Sequence, residues 1–454
     1  MGDTCFIPAR NSVIVAFTSH LPFSCHICRA IRLTILVRAV WIGVSSGGTG
    51  PTGGAARGTM TQTKSAIIFS ALSAVLAAAP AHSLQNSDAG PDRFAAVEFS
   101  LSTDAALVFA GGSYGGNILA DLDTRFEWET ISDNGWRWGF ELGLHAQSDM
   151  AREGFANTTG PVLTTPQRSL ATGRYRGGAA PSGRKAFAAE RLNVFLKAGW
   201  GEWRLGLTPG AAQVEAVNLP TGSAFVRLDG GPLGLGRQVM TRTANTGAGF
   251  GPSLVYSTPR IIGLRASASF APQARFCGVD ICLAEAHPGG AGSSSLENVF
   301  EAGISFDHTF AGTGRIEAAL NVVTGEPLSV EFQDNYSALG AQVRWSRDGL
   351  SLGVSGLWAD NAVSDGRYQA LAAAARYDVG DWSFGVEAAT SSDDYLQESE
   401  TALQFTLSRL VGDHHTVTFG LHSTNRDFTA LSPQGAVNNS ENGSGAFLEL
   451  TFRH

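Results

Sequence analysis

The sequence predicts an all-β fold, a 16-stranded antiparallel transmembrane β-barrel, and three observations predict it. Charged residues make up only 16% of the 454 and glycine supplies 55, against roughly 25% charged and about 7% glycine in ordinary soluble chains. No run of 18 or more uninterrupted apolar residues follows residue 80, so a polytopic helical membrane protein is excluded. From Phe94 onward apolar and polar residues alternate with period two, in short segments joined by tight turns and long polar loops. Mean hydropathy of +0.02 is high for a chain with so many turns. The formal charge of −8 and a pI near 5.7 leave no basic footprint for nucleic acid.

Taken in chain order, residues 60–81 read MTQTKSAIIFSALSAVLAAAPA. Lys64 supplies a positive start, Ala66 to Ala79 an apolar core and Ala79-Pro80-Ala81 a small-x-small cleavage site, the three parts of a secretory signal peptide in order. Met60 can initiate it, so residues 1–59 are expected to be a mis-called upstream extension and 82–454 the barrel. Ile31 to Val44 is too short for a membrane anchor and Arg38 interrupts it. Residues 1–81 hold six Lys/Arg and one acid, leaving 26 basic and 39 acidic residues in 82–454, a net charge of −13. Cys25-His26-Ile27-Cys28 looks like half a zinc site, but no second pair at ligand spacing follows. Cys277 and Cys282, in FCGVDIC, are expected to form a local disulfide that pins an exported loop.

The first hairpin sets the pattern. In ILADLDTRFEWET, Ile118, Ala120, Leu122, Phe126 and Trp128 oppose Asp121, Asp123, Arg125, Glu127 and Glu129; SDNG is a turn; then Trp136, Trp138, Phe140, Leu142 and Leu144 oppose Arg137, Glu141, His145 and Gln147. The same alternation recurs in RLNVFLKAGW, EWRLGLT, SLVYSTP, GLRASASFAP, FEAGISFDHTF, GRIEAALNVVTG, YSALGAQVRWS, LSLGVSGLWAD, YQALAAAARYDVG, DWSFGVEAATSS, ALQFTLSRLVG, HTVTFGLHSTN and GAFLELTF. With the region from Phe94 to Phe109 this makes sixteen strands. Short turns (SDNG, WGEW, TPRIIG, GTG, RDG, VGD, VGDHH) alternate with long loops at Asp149–Phe187, Thr208–Phe250, Pro272–Glu297, Gly325–Asn335, Ser391–Thr401 and Arg426–Gly445. A transmembrane barrel needs that asymmetry of its two rims; a sandwich does not.

Strands in lipid must pair every backbone group, which only a closed barrel achieves, so apolar side chains face outward and charged ones inward. Inward charges cannot share a dry core at this number, since unpaired buried charges cost several kcal/mol each. Trp136, Trp138, Trp200, Trp203 and Trp382 lie beside short turns, where aromatic rings form an interfacial girdle. A secreted or surface β-sandwich binding module shares the alternation and is the alternative of another class.

Three stretches carry a family likeness: AERLNVFLKAGWGEWRLGLTPGA (189–211), PSLVYSTPRIIGLRASASFAP (252–272) and the C-terminal SGAFLELTFRH. They resemble the trimeric general-diffusion porins of Gram-negative outer membranes, most closely the alphaproteobacterial type, in the hairpin entering the constriction loop, the hairpin leaving it and the last strand. Leu448, Leu450 and Phe452 match that family's C-terminal assembly signal, read by the barrel-insertion machinery, although the chain ends in Arg453-His454 rather than at the Phe. The resemblance implies a homotrimer in the outer membrane, in contact with lipid and lipopolysaccharide, passing small hydrophilic solutes and ions passively. It also implies a third long loop, Thr208–Phe250, folded into the lumen.

The polar residues of that loop are Glu215, Arg227, Asp229, Arg237 and Arg242. Strand parity offers Arg125, Arg137, Arg191, Lys197, Arg204, Arg265 and Arg344 as the basic residues of the facing wall. In the family, separated charges of this kind create a transverse field that orients polar solutes. No GxSxG, HExxH or P-loop occurs in 82–454, GGPLGLG (230–236) lacks the Lys-Ser/Thr of a phosphate loop, and no enzyme activity, cofactor or metal is expected. Only about twelve residues separate Ala81 from Phe94, too few for the plug of an energised transporter. A substrate-specific channel or a purely structural barrel is the second alternative, and a mild cation preference is expected.

Overall fold

The computed structural model describes residues 94–113, 117–149, 156–157, 167–172, 175–176, 184–233, 235, 240–246, 249, 251–275, 295–328, 334–432 and 435–454. The predicted leader segments (1–59 and 60–81), Arg237, Cys277 and Cys282 lie outside them.

In chain order the strands are β1 (Phe94–Gly112), β2 (Asn117–Ser132), β3 (Arg137–Asp149), β4 (Ala156–Asn157), β5 (Gln167–Arg168), β6 (Tyr175–Arg176), β7 (Arg184–Ala198), β8 (Gly201–Leu207), β9 (Pro252–Ser257), β10 (Leu264–Arg275), β11 (Ser295–Phe310), β12 (Gly314–Pro327), β13 (Tyr336–Arg347), β14 (Leu350–Asp360), β15 (Arg367–Val379), β16 (Trp382–Asp393), β17 (Glu398–Val411), β18 (His415–Ser432) and β19 (Gly435–Arg453). Sixteen of them close a barrel in the order β1-β2-β3-β7-β8 and onward to β19, which pairs back onto β1. Every neighbouring pair is antiparallel, and the seam runs from Asp104↔Arg453 to Gly112↔Gly445. The short strands β4, β6 and β5 form a separate three-stranded sheet within the segment joining β3 to β7.

Alternation dictates which face each residue takes. Val97, Phe99, Leu192, Val194, Leu205, Phe300, Leu320, Val343, Phe405, Phe419 and Leu421 are large, apolar and exposed on the outside, while Glu141, Asn193, Asn321, Gln342, Gln404 and Glu449 are buried inside. This reversal of a soluble protein's pattern is the arrangement that lipid requires. Trp136, Trp138, Trp200, Trp203 and Trp382 are all exposed beside the short-turn rim. There Trp136 packs edge-on to Trp200, and Trp203 lies 4.7 Å from the Tyr256 ring.

Seven tight connections occupy one rim, where Phe94 pairs Ser132 and Phe452 pairs His415, so both ends of the barrel lie there too. At Asp348-Gly349 both residues have positive φ (49° and 83°), the type I′ pattern that matches strand twist and that glycine adopts most readily. The opposite rim departs from expectation in three places. Ser391–Thr401 and Arg426–Gly445 are mostly strand, leaving only 394–397 and 433–434 as connections, and 361–366 is a further connection. Continuous pairing, such as Arg426↔Glu441 and Asn425↔Asn442, outweighs the turn-like composition of these stretches.

Candidate functional site

The inner wall of β2, β3, β7 and β8 holds the densest charge. Register sets it: Arg125 and Arg191 both lie opposite Gly143, whose missing side chain leaves room for Arg191, and Glu141 lies opposite Asn193. Three guanidiniums therefore converge on the fully buried Glu141, Arg125 at 3.0 Å, Arg204 at 2.6 Å and Arg191 at 3.5 Å. Asn193 Nδ2 adds a hydrogen bond at 3.2 Å. Toward the short-turn rim Lys197 bridges Glu127 and Glu129 at 3.3 Å each, Arg137 pairs with Glu129, and Arg204 also meets Glu202 at 2.6 Å. Toward the long-loop rim a register shift in the β3–β7 pairing brings Glu190 inward beside Arg191, and His145 joins Glu190 (2.7 Å) to Asp121 (2.9 Å). Among the described residues no group of three His, Cys, Asp or Glu side chains could hold a metal ion.

The segment from Thr208 to Gly251 runs along the inner wall, from β10 and β11 to β15, β16, β17 and β19, and reaches the long-loop end of β2 and β3, where Gln147 Nε2 donates to the Pro232 carbonyl at 2.6 Å. Its first turn, Ala211–Val214, is held by Ser269 Oγ, which accepts from the Ala211 N–H at 2.9 Å, and by Glu301, which accepts from the Ala212 N–H at 3.0 Å. Farther on, Glu449 accepts from Ser223 Oγ (2.6 Å) and from the N–H groups of Ala224, Phe225 and Val226 (3.0–3.2 Å). Glu387 accepts from the Leu228 N–H at 3.1 Å and Glu400 from the Met240 N–H at 2.8 Å. Tyr368 Oη accepts from the Arg242 N–H at 2.7 Å. Four wall carboxyl groups, of Glu301, Glu387, Glu400 and Glu449, thus hold the loop by its backbone N–H groups. Apolar contacts complete the seat, with Phe225, Val226, Leu233 and Leu235 against Ala106, Val108, Leu119 and Phe447.

The structure places all seven predicted wall bases on the inner face. Arg125, Arg137, Arg191, Lys197 and Arg204 form one cluster. Arg265 pairs with loop Glu215 (3.2 Å), and Arg344 pairs with Glu317 (3.6 Å) farther round. Glu215 also bonds Ser267 and Ser305, so it is turned into the β10–β11 wall rather than across the lumen. Asp229 pairs within the loop with Arg227 at 3.2 Å, and Arg242 is buried. Leu448 and Leu450 face outward, and Phe452 packs 5.2 Å from the His415 ring. Sequence reasoning missed Glu301, Glu387, Glu400, Glu449 and Tyr368. Their signal was a lone carboxylate or tyrosine at an inward position among small or apolar residues, as in FGVEAAT and FLELTF.

Residues 70–427 match the sequence profile of the Gram-negative porin family. The chain is a Gram-negative porin. No curated protein matches the porin's sequence. Among solved structures, the anion-selective porin from Comamonas acidovorans is 14% identical, with 79% of this chain and 100% of that chain covered and a TM-score of 0.49. The trimer form of OmpT, an outer-membrane protein of Vibrio cholerae folded in vitro, is 11% identical over 80% of this chain and 100% of that chain, with a TM-score of 0.49. A triple mutant of the Rhodopseudomonas blastica porin is 12% identical over 78% of this chain and 100% of that chain, with a TM-score of 0.42. The porin's assignment rests on the family match, and with it come the outer membrane and a channel.

Proposed function

We propose that this porin is a homotrimeric channel through which small hydrophilic solutes and ions diffuse passively, with the 208–251 loop narrowing the lumen that the charged wall of β2, β3, β7 and β8 lines. The carrying observation is that a loop fixed to the inner wall by backbone bonds and a densely charged arc of that wall share the interior of one closed barrel. Among the described side chains of that wall, seven carboxylates (Asp121, Asp123, Glu127, Glu129, Glu141, Glu190, Glu202) outnumber six bases, His145 between Asp121 and Glu190 included, which supports a mild cation preference. The reading also takes residues 60–81 as a Sec-type signal peptide, Cys277 and Cys282 as a disulfide in an external loop, and Leu448, Leu450 and Phe452 as the signal for barrel insertion. Planar-bilayer recordings of the detergent-purified protein test the function. Ohmic steps in groups of three, rising with salt, are expected; a correctly folded protein that conducts nothing would overturn it.

A further inference from the structure

The outer face of β10 to β15 is not a uniform apolar wall. Register places its side chains in rows that run across the strands. The row nearest the long-loop rim reads Phe270, Phe300, Thr324, Ser337, Asp360 and Arg367, and the next reads Ala268, Ala302, Val322, Leu339, Trp358 and Gln369. The first row is polar over four adjacent strands, whereas the second is apolar as far as Gln369. Long loops face out of the cell in such barrels, so the step between the rows marks the headgroup level of the outer leaflet.

A hollow of about 870 Å³ straddles that step. Side-chain size shapes it: Ala302, Val322 and Leu339 make a low floor, with Phe300 on one side and Trp358 on the other. A Cβ on Gly356 would lie 2.8 Å from the Trp358 ring, so that ring leans along its own strand toward the short-turn rim and leaves the floor open. Phe300, Leu339 and Trp358 are all exposed. At the polar end, Arg367 is exposed and makes no side-chain hydrogen bond or ion pair among the described residues. Its cross-strand neighbour Asp360 turns instead to its own connection, where Oδ1 accepts from the Ala362 N–H at 3.0 Å. A second outer hollow, of about 500 Å³ against Val354, Ala373 and Val386, is lined by apolar residues alone.

We propose that the larger hollow is a binding site for lipopolysaccharide of the outer leaflet, with acyl chains on the floor of Ala302, Val322 and Leu339, a phosphate at Arg367, and sugar hydroxyls at Thr324, Ser337 and Asp360. Surrounded by lipid, the floor gains nothing from burying one chain rather than another, so the polar end makes the choice. There an arginine without a protein partner offers a charge-assisted bond to an anionic group. One carboxylate and two hydroxyls beside it suit a headgroup that is rich in hydroxyls as well as anionic. The polar run covers four strands, roughly 14 Å at about 4.8 Å per strand, which matches a phosphorylated sugar headgroup bearing several chains better than a single glycerophosphate. The site goes beyond the diffusion reading and concerns the outer face, so it stands whether or not the lumen conducts.

The test uses the protein refolded in detergent free of lipopolysaccharide, as wild type, as Arg367→Ser, and as Ala302→Phe, which fills the floor. Heat-modifiable mobility checks that each barrel has formed. Native mass spectrometry then measures binding of deep-rough lipopolysaccharide and, separately, of phosphatidylglycerol. Wild type is expected to retain lipopolysaccharide, and each substitution to weaken it by about tenfold or more, while phosphatidylglycerol binds weakly and equally to all three. Equal affinity of wild type and Arg367→Ser for lipopolysaccharide would overturn the site. Phosphatidylglycerol held as tightly as lipopolysaccharide, with the same loss in both variants, would make the occupant a glycerophospholipid and sink the assignment. Dissociation of the assembled protein in either variant, with no lipopolysaccharide bound by wild type, would make the hollow a contact between copies and defeat it likewise.

Discussion

At Glu141 one carboxylate without exposed surface meets Arg125, Arg191 and Arg204. The arginines retain partial access to the lumen, so removing their partner frees positive charge toward the pore rather than stranding it in a dry core. Glu141→Gln keeps the shape, removes one negative charge, and is expected to move the reversal potential in a tenfold KCl gradient by several millivolts toward anions. Arg204→Ala should move it the other way, because Glu141 and Glu202 then lose a partner. Shifts of the same sign in both variants would show that the cluster does not face the conducting path. Which face each of these residues takes was legible from period-two spacing alone. Their pairing was not, because Arg125 and Glu141 meet only through the β2–β3 register, and Glu190 enters the lumen only through a register shift that periodicity does not contain.

Among the elements, the loop at 208–251 sits where small residues let backbone approach backbone. A Cβ on Gly222 would lie 1.9 Å from Thr406 Oγ1 and 2.9 Å from Thr406 Cβ, closer than a Cβ can come, and in tight contact with Gly385 Cα at 3.3 Å. Gly222→Val is therefore expected to lift the loop off β16 and β17 into the lumen and to lower conductance, by about half. The barrel should still form, since β16 and β17 pair from Trp382↔Arg409 to Asp393↔Glu398 without involving the loop. Unchanged conductance would mean that the loop does not restrict the pore. The tight turns were readable in advance because their residues carry the signal locally, as Asp348-Gly349 does. The far end of the β18–β19 hairpin, expected as the loop Arg426–Gly445, was not, because its Asn, Ser and Gly residues favour turns and only cross-strand bonding makes them strand. The clamp was hidden for a related reason. Glu449 receives the loop 223–226 residues away in sequence, and Asn361 receives Ala171 and Ser169 190–192 residues away, so no local pattern marks either as an anchor.

For the whole molecule, the charged wall and the loop act together as a field across water. The described wall carries one more carboxylate than bases, and residues 82–454 are acidic overall, so cations should pass more readily than anions. The lumen is roughly 30 Å across before the loop narrows it, and the Debye length is about 30 Å at 0.01 M salt but only about 3 Å at 1 M. At the lower concentration every charge on the wall therefore reaches the permeating ion, whereas at the higher one only ions touching the wall sense it. The cation-to-anion permeability ratio from reversal potentials is accordingly expected to exceed one by about two- to fivefold near 0.01 M and to fall toward one at 1 M. Anion preference at low salt would show that the exposed guanidiniums of Arg125 and Arg137, rather than the carboxylates beneath them, govern the field. A ratio insensitive to salt would place selectivity in direct contact at the narrowest point instead of in the wall's long-range field.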